Sequence, residues 1–157
     1  MKIFELLTAK YVLTEFKSEN KNNVINELID LLIDDERVLD IEDVRQCVFD
    51  REQKMSTGVG KGFAIPHGKT NSVTDIVAAF GKSEIPIDYN SLDGEPVQII
   101  FLLIGKENLI AKHIKLLSRI SRLMNNDEFR KKLIEAESKE SILKIFEAEE
   151  QNYSDVY

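Results

Sequence analysis

The segment "VQIIFLLI", residues 97–104, gives the strongest strand signal in this chain of 157 residues. After Gln98 it holds six consecutive apolar residues, with no polar residue among them. A strand that faces solvent on one side alternates apolar and polar residues, whereas a strand covered on both sides need not. We therefore predict that 97–104 is a central strand, with helices packed against both faces of its sheet.

The segments before this strand predict smaller strands. Weak alternation over 11–16 and the apolar composition of 75–80 each predict a strand. A short third strand is predicted over 63–65, after a run of glycines. Between the second strand and the central one, "IPIDYNSLDGEP" (85–96) has the Pro, Asn, Asp and Gly residues of a turn-rich connection.

Five segments place apolar residues at the spacing of an amphipathic helix. They are residues 24–32, 41–51, 109–123, 129–133 and 142–146. Polar residues at their starts are suited to cap the free N–H groups of a first helical turn. We assign Asp40 as the cap of the second helix, Asn126 or Asp127 as that of the fourth, and Ser138 as that of the fifth. The second helix is expected to end near Arg51.

The order of these elements predicts an α/β protein. One strand, two helices, several strands and three helices suit a three-layer α/β/α arrangement, in which a small mixed sheet is flanked by helices. No composition shift marks a linker, so we expect a single domain over residues 1–150. The last residues, 151–157, are expected to form a C-terminal tail.

Composition argues against several functional classes. The formal net charge is -7 and the sequence pI is about 5.0, which disfavours nucleic acid because phosphate backbones select basic surfaces. No segment approaches the roughly 18 apolar residues of a membrane span, and we expect a cytoplasmic protein without direct membrane insertion. Cys47 is the single cysteine, so an internal disulfide is excluded. We interpret it as a small buried apolar residue. One cysteine and two histidines do not suffice for a closed zinc site.

A second segment, "STGVGKGFAIPHG" (56–68), concentrates glycine beside a histidine. It holds four of the seven glycines and one of the two histidines. The spacing fits neither a P-loop nor a dinucleotide fingerprint. Alternating glycines can still turn successive N–H groups toward an anion, with the hydroxyls of Ser56 and Thr57 as further donors; an ordinary turn is the alternative. His67 is expected at a sheet edge, with a neutral nitrogen available as a phosphoryl acceptor.

Other interpretations of the same residues stay open at this point. Arg51 at the end of a helix would stabilise the negative end of the helix dipole. His113, one turn from Ile110 and Leu117, would ordinarily be a partly buried histidine of a helix face. A serine hydrolase with Ser56 or Thr57 as nucleophile lacks both a nucleophile elbow and an acidic residue placed to orient His67.

The pattern "RE…STGVGKGFAIPHGK", which begins at Arg51, resembles the signature of the enzyme IIA components of the bacterial phosphoenolpyruvate-dependent phosphotransferase system. The likeness is to the fructose and mannitol type, which includes nitrogen-regulatory homologues, and it extends over about residues 3–147. It implies a mannitol-type IIA-like fold.

The resemblance also implies roles for individual residues. His67 would accept a phosphoryl group from phospho-HPr and relay it to a cysteine of a IIB domain, with Arg51 and His113 beside it. Backbone N–H groups around Gly58 and Gly60, together with Ser56 and Thr57, would complete the phosphate contacts. Transfer between two nitrogen atoms of similar basicity needs no metal, and no cofactor is implied.

Two functions fit the resemblance. The chain would be a phosphocarrier for sugar uptake that docks on a membrane permease, or a nitrogen-type regulator whose phosphorylation controls its binding to target proteins. A fold relative that only binds partners is a third interpretation, which the presence of His67, Arg51 and His113 disfavours. Lys61 and Phe63 are expected to face the partner protein.

Overall fold

A mixed sheet of six strands lies at the centre of the protein in the computed structural model, which describes residues 2–152. The strands of this described part are β1 (Val12–Leu13), β2 (Gly58–Gly60), β3 (Phe63–Ala64), β4 (His67–Lys69), β5 (Val77–Ile87) and β6 (Val97–Gly105). The helices are α1 (Ile3–Leu6), α2 (Lys21–Asp30), α3 (Ile41–Lys54), α4 (Ile110–Met124), α5 (Asp127–Glu135) and α6 (Lys139–Gln151).

Strand β6 connects most of the sheet. It pairs antiparallel with β5, with Phe80 opposite Phe101, and parallel with both β3 and β4 along its other edge. Strand β1 extends the sheet beyond β5, and β2 extends it beyond β3. Every residue of β6 is buried except Gln98, which is half-buried. The predicted central strand is confirmed.

The two faces of β6 contribute to two separate apolar cores. Ile99, Phe101 and Leu103 pack on the face covered by α1, α4, α5 and α6. Ile100 and Leu102, with the rest of the other face, pack against α2 and α3. Because successive residues of a strand point to opposite faces, a run without polar residues supplies both cores at once. This arrangement confirms the predicted three-layer α/β/α fold.

Local capping signals placed the helix starts correctly. The Asp40 carboxylate accepts hydrogen bonds from the N–H groups of Glu42 and Asp43, and Asn126 and Ser138 cap α5 and α6. The predicted end of the second helix near Arg51 was wrong, because α3 continues to Lys54. Helix α6 continues to Gln151, one residue beyond the predicted domain boundary. Residues 153–157 of the predicted tail lie outside the described residues.

Several strand boundaries differ from the prediction. The strand predicted over 11–16 is reduced to Val12–Leu13 and follows a 3₁₀ turn over Ala9–Tyr11. Strand β5 extends to Ile87, with an irregular register between Lys82 and Ile87, so the connection after it begins later than predicted. Helix α1 and strands β2 and β4 were not predicted, because each has at most four residues and too short an apolar pattern.

A tight hairpin joins β2 to β3. Lys61 and Gly62 lie between the paired residues Gly60 and Phe63, and both have positive φ angles, 59° and 82°. Positive φ at both central residues is typical of a type I′ turn, which matches the twist of the flanking strands. The Lys61 side chain is exposed, but Phe63 is only 2% exposed and lies in the core. The expectation that Phe63 faces a partner protein was therefore wrong.

Membrane insertion by a helix finds no support in the described residues. None of the helices within 2–152 combines the length and the apolar composition needed to cross a bilayer.

Phe146 of α6 is expected to be the most sensitive position of the larger core. Its ring packs edge-on against those of Phe80, Phe101 and Phe129, with centroids 5.2 to 5.9 Å away. We expect Phe146→Ala to lower the free energy of unfolding by about 3–5 kcal/mol, measured by urea titration with circular dichroism. Phe146→Leu should lower the free energy of unfolding much less. An equal decrease in both variants would contradict the central place of this ring in the core.

Candidate functional site

His67 begins strand β4, where it lies opposite Leu103 of the parallel strand β6. Its Nδ1 atom is 2.8 Å from the backbone oxygen of Ile65. A carbonyl oxygen only accepts hydrogen bonds, so in this geometry Nδ1 carries the proton and donates it. The other nitrogen, Nε2, then holds the lone pair. The backbone thus selects one tautomer of the imidazole.

The surroundings of His67 favour its neutral form. Burial is the largest cause of its lowered pKa, and the positive charges of Arg51 and Lys69 lower it further. The hydrogen bond to Ile65 and the charge of Glu52 act in the opposite direction without reversing the shift. Near pH 7 the Nε2 lone pair is therefore available as a nucleophile.

His113 lies in the first turn of α4 and faces His67. The two ring centroids are 5.8 Å apart. The side chain is 2% exposed, yet neither ring nitrogen has a hydrogen-bond partner within residues 2–152. Burial, followed by the neighbouring His67 and Lys69, lowers its pKa to about 4. A neutral, unpartnered imidazole can donate to an oxygen placed between the two rings.

Two glycines provide the space that these side chains occupy. A Cβ atom at Gly105 would overlap Nδ1 of His113, and one at Gly68 would lie 2.6 Å from Sγ of Cys47. Cys47 is half-buried, and burial followed by Asp43 raises the pKa of its thiol to about 12. The close contact with Gly68 and the raised pKa support the interpretation of Cys47 as a packing residue.

A cavity of about 570 Å³ contains the predicted trio of His67, Arg51 and His113. Its remaining lining residues are Cys47, Asp50, Lys54, Gly68, Lys69, Ile114 and Leu117. The half-buried Arg51 donates from one guanidinium nitrogen to the Met55 carbonyl at 2.7 Å. Three cationic side chains and one carboxylate line this cavity, so it favours an anion although the chain is acidic as a whole.

The glycine-rich residues lie elsewhere. Ser56, Thr57, Gly58 and Gly60 do not line this cavity. The Ser56 hydroxyl bonds to the Tyr89 carbonyl and to the Gly58 N–H. Both donors of Thr57 bond to Glu52, and Gly60 packs against another acidic side chain. The contact of these four residues with phosphate stays a prediction.

Glu52 is a residue that the sequence analysis missed. Its carboxylate is 7% exposed and accepts from the Thr57 N–H, the Thr57 hydroxyl and the Tyr89 hydroxyl. Lys21 Nζ lies 3.0 Å from it and also 4.6 Å from the centroid of the Tyr89 ring. Glu52 therefore joins the end of α3, which carries Arg51, to the start of the hairpin. The only sequence signal was its place beside Arg51.

Comparison with known proteins gives the family. The sequence model for "Phosphoenolpyruvate-dependent sugar phosphotransferase system, EIIA 2" matches residues 5–149. The chain belongs to this family. Members of the family are phosphotransfer components, so this EIIA chain is one in that broad sense.

One relative is a much longer protein than this chain. The EIIA chain is 41% identical over 145 residues to a fructose-specific EIIABC component of Bacillus subtilis, an alignment that covers 92% of this chain and 23% of that protein. It is therefore similar to less than a quarter of that relative's length.

Two solved structures show the same fold. The nitrogen regulatory protein IIA-Ntr from Neisseria meningitidis has a TM-score of 0.86 and 32% identity, covering 92% of this chain and 98% of that one. The mannitol IIA of Escherichia coli has a TM-score of 0.76 and 18% identity, covering 89% and 98%. The predicted mannitol-type IIA-like fold is confirmed.

The lowered pKa of His113 should make stability depend on pH. Its pKa is about 4 in the folded chain, against an ordinary value of 6.5. Between these values the unfolded state binds more protons, so the contribution is intact above the ordinary pKa and is lost as the pH falls. We expect this group to lower the free energy of unfolding by about 2 kcal/mol between pH 7 and pH 5. In urea unfolding, His113→Asn should lose that much less over the same interval; equal pH slopes would contradict the shift.

The contact between Gly105 and His113 is testable by a double-mutant cycle. We expect Gly105→Ala to lower the free energy of unfolding by about 1–3 kcal/mol, because the added methyl group displaces the His113 ring. The same substitution made in a His113→Ala background should cost clearly less, since the overlapping atoms are gone. Urea unfolding of the four proteins measures the coupling, and purely additive effects would refute the contact.

Proposed function

We propose that this EIIA chain is a phosphocarrier in which Nε2 of His67 accepts a phosphoryl group from phospho-HPr and passes it to a IIB cysteine. The observation that carries the proposal is the arrangement of His67. Its Nδ1 bonds to Ile65, which leaves Nε2 as the nucleophile in a cavity that also holds Arg51 and His113. The protein would act in the cytoplasm, on the cytoplasmic side of a permease.

The transfer step is a direct displacement at phosphorus. The Nε2 lone pair attacks in line, and the bond between phosphorus and the donor histidine breaks, returning its electron pair to the donor ring. The Nδ1 proton stays on His67, where the Ile65 carbonyl stabilises the positive charge of the phosphorylated ring. In the second transfer a cysteine thiolate of the IIB domain attacks phosphorus, and the bonding pair returns to Nε2.

Arg51 and His113 would stabilise the charge that spreads over the equatorial oxygens during transfer. The guanidinium of Arg51 is fixed by its bond to the Met55 carbonyl and keeps further N–H donors for phosphoryl oxygens. The unpartnered nitrogens of His113 supply one more donor without adding a charge that would compete with phosphoryl binding. Ordered donors aimed at the oxygens of a transition state lower its free energy.

Ser56, Thr57, Gly58 and Gly60 have an indirect part in this proposal. Ser56 donates to the Tyr89 carbonyl and Thr57 donates to Glu52, and these bonds hold the start of the hairpin beside the last turn of α3. We therefore confine the proposed phosphoryl contacts to side chains that line the cavity.

A regulatory role of the nitrogen type is the second candidate. The similarity to IIA-Ntr covers 98% of that chain, whereas the alignment with the fructose relative covers 23% of it. Phosphorylation would add about 1.5 to 2 negative charges to a cavity with three cationic side chains. That change would alter the affinity for any target protein that contacts the rim of the cavity.

Intact mass spectrometry tests the phosphocarrier proposal. The protein is incubated with phosphoenolpyruvate, enzyme I and HPr, and we expect a gain of one acid-labile phosphoryl group. His67→Ala should gain none, while Arg51→Ala and His113→Ala should be phosphorylated about ten- to a thousandfold more slowly, as expected for the loss of a transition-state donor.

The acceptor separates the two candidate functions. Loss of the phosphoryl group to the cysteine of a IIB domain from the same cell would support the transport relay. A wild type that is phosphorylated, leaves every such IIB domain unmodified and changes its affinity for a target protein would support regulation. No mass gain in the wild type with competent HPr would refute the phosphocarrier proposal.

A further inference from the structure

Lys69 shares a face of β4 with His67. Residues two apart in a strand point to the same side of the sheet, and both side chains line the cavity described above. Lys69 lies opposite Gly105 in the pairing of β4 with β6. Gly105 is also the residue against which the His113 ring packs. The backbone thus places the Lys69 side chain beside both imidazoles.

The ammonium of Lys69 is not engaged by the protein. Within residues 2–152 it forms no ion pair, and no hydrogen bond joins it to another residue. The side chain is exposed, and an ammonium has three donors to offer. A free cation at the rim of a site that favours anions is suited to bind an oxygen of the anion.

The charge of Lys69 acts on both histidines. Burial is the main cause of the lowered pKa of each ring, and Lys69 lowers both values further. Lys54 lines the same cavity from the end of α3, yet it is not among the causes of either shift. Of these two lysines, Lys69 is therefore the one that acts on both imidazole rings.

We propose that Lys69 binds a non-bridging oxygen of the phosphoryl group while that group is transferred to and from His67. The inference rests on the proposed phosphocarrier function and adds a residue to it. The ammonium forms an ion pair with the phosphoryl oxygen and takes no part in bond making or breaking. Together with Arg51 and His113 it gives each equatorial oxygen its own donor.

Single-turnover phosphorylation of four proteins tests this role. Wild type, Lys69→Gln, Lys69→Arg and Lys54→Gln are mixed with phospho-HPr, and the phosphorylated fraction is followed by intact mass. We expect Lys69→Gln to accept the group about tenfold more slowly or worse, as for the loss of a charge-assisted hydrogen bond. Lys69→Arg should retain most of the rate. Lys54→Gln removes the same charge from the same cavity and should be slowed much less.

A second measurement does not depend on phosphorylation. Titration of the two imidazoles by NMR in the unphosphorylated proteins should show both pKa values raised in Lys69→Gln relative to Lys54→Gln. Arg51, Glu52 and Lys69 act on the pKa of His67, and His67 and Lys69 act on that of His113. Asp50 and Lys54 also line the cavity, and Lys69→Gln changes none of these groups except Lys69. Unchanged titration would show that the ammonium does not lie near the rings and would overturn the inference.

The outcomes separate the two proposals. A wild type that is phosphorylated, with Lys69→Gln equally fast or with Lys54→Gln equally slow, would refute the role of Lys69 and leave the phosphocarrier function intact. A wild type that gains no phosphoryl group from competent phospho-HPr would refute that function, and the role of Lys69 with it.

Discussion

The burial of strand β6 on both faces is the constraint on which the rest of the structure depends. Its side chains alternate between the two cores, and its backbone pairs with β3, β4 and β5. The same strand positions the site, because Leu103 sets the register of His67 and Gly105 gives His113 its space. A shift of β6 by one residue would turn each of its side chains to the opposite face of the sheet, and it would move Leu103 and Gly105 away from the positions that bring His67 and His113 together.

The cavity favours an anion although the chain as a whole is negatively charged. A chain of formal net charge -7 repels anions at long range, so the attraction has to be local. The cavity provides it with Arg51, Lys54 and Lys69. Burial, with Arg51 and Lys69, lowers the pKa of His67, and burial, with His67 and Lys69, lowers that of His113, so both imidazoles are kept neutral. One arrangement thus favours an anion in the cavity and leaves the Nε2 lone pair of His67 free.

Features formed by contacts between residues close in sequence were predicted correctly, whereas features formed by distant contacts were missed. Asp40 and Ser138 were predicted as caps because a cap bonds to N–H groups two or three residues away. The short helix α1 was missed because Glu150, 147 residues from Ile3, accepts its first N–H group. Strand β4 was missed because three residues, one of them glycine, become a strand only through pairing with β6.

The site divides in the same way. The sequence pattern and its family resemblance supplied His67, Arg51 and His113, which the structure brings into one cavity. The sequence pattern did not point to Gly105 or Glu52, because their roles depend on contacts with other segments of the chain. Glu52, for example, meets Tyr89 across 37 positions of sequence. The glycine-rich segment was singled out for its composition, but the contacts of Ser56 and Thr57 in the described structure stabilise the start of the hairpin.

The bond from His67 Nδ1 to the Ile65 carbonyl has a consequence for how the protein tolerates mutation. Many proteins orient a reactive imidazole with a carboxylate side chain, which a single codon change can delete. Here the acceptor belongs to the peptide backbone, and Pro66, whose own carbonyl receives the Leu103 N–H, fixes the path between the two residues. Replacing the Ile65 side chain leaves that oxygen in place. The main chain therefore determines which nitrogen of His67 keeps its lone pair, and a substitution at position 65 does not remove the oxygen that makes this choice.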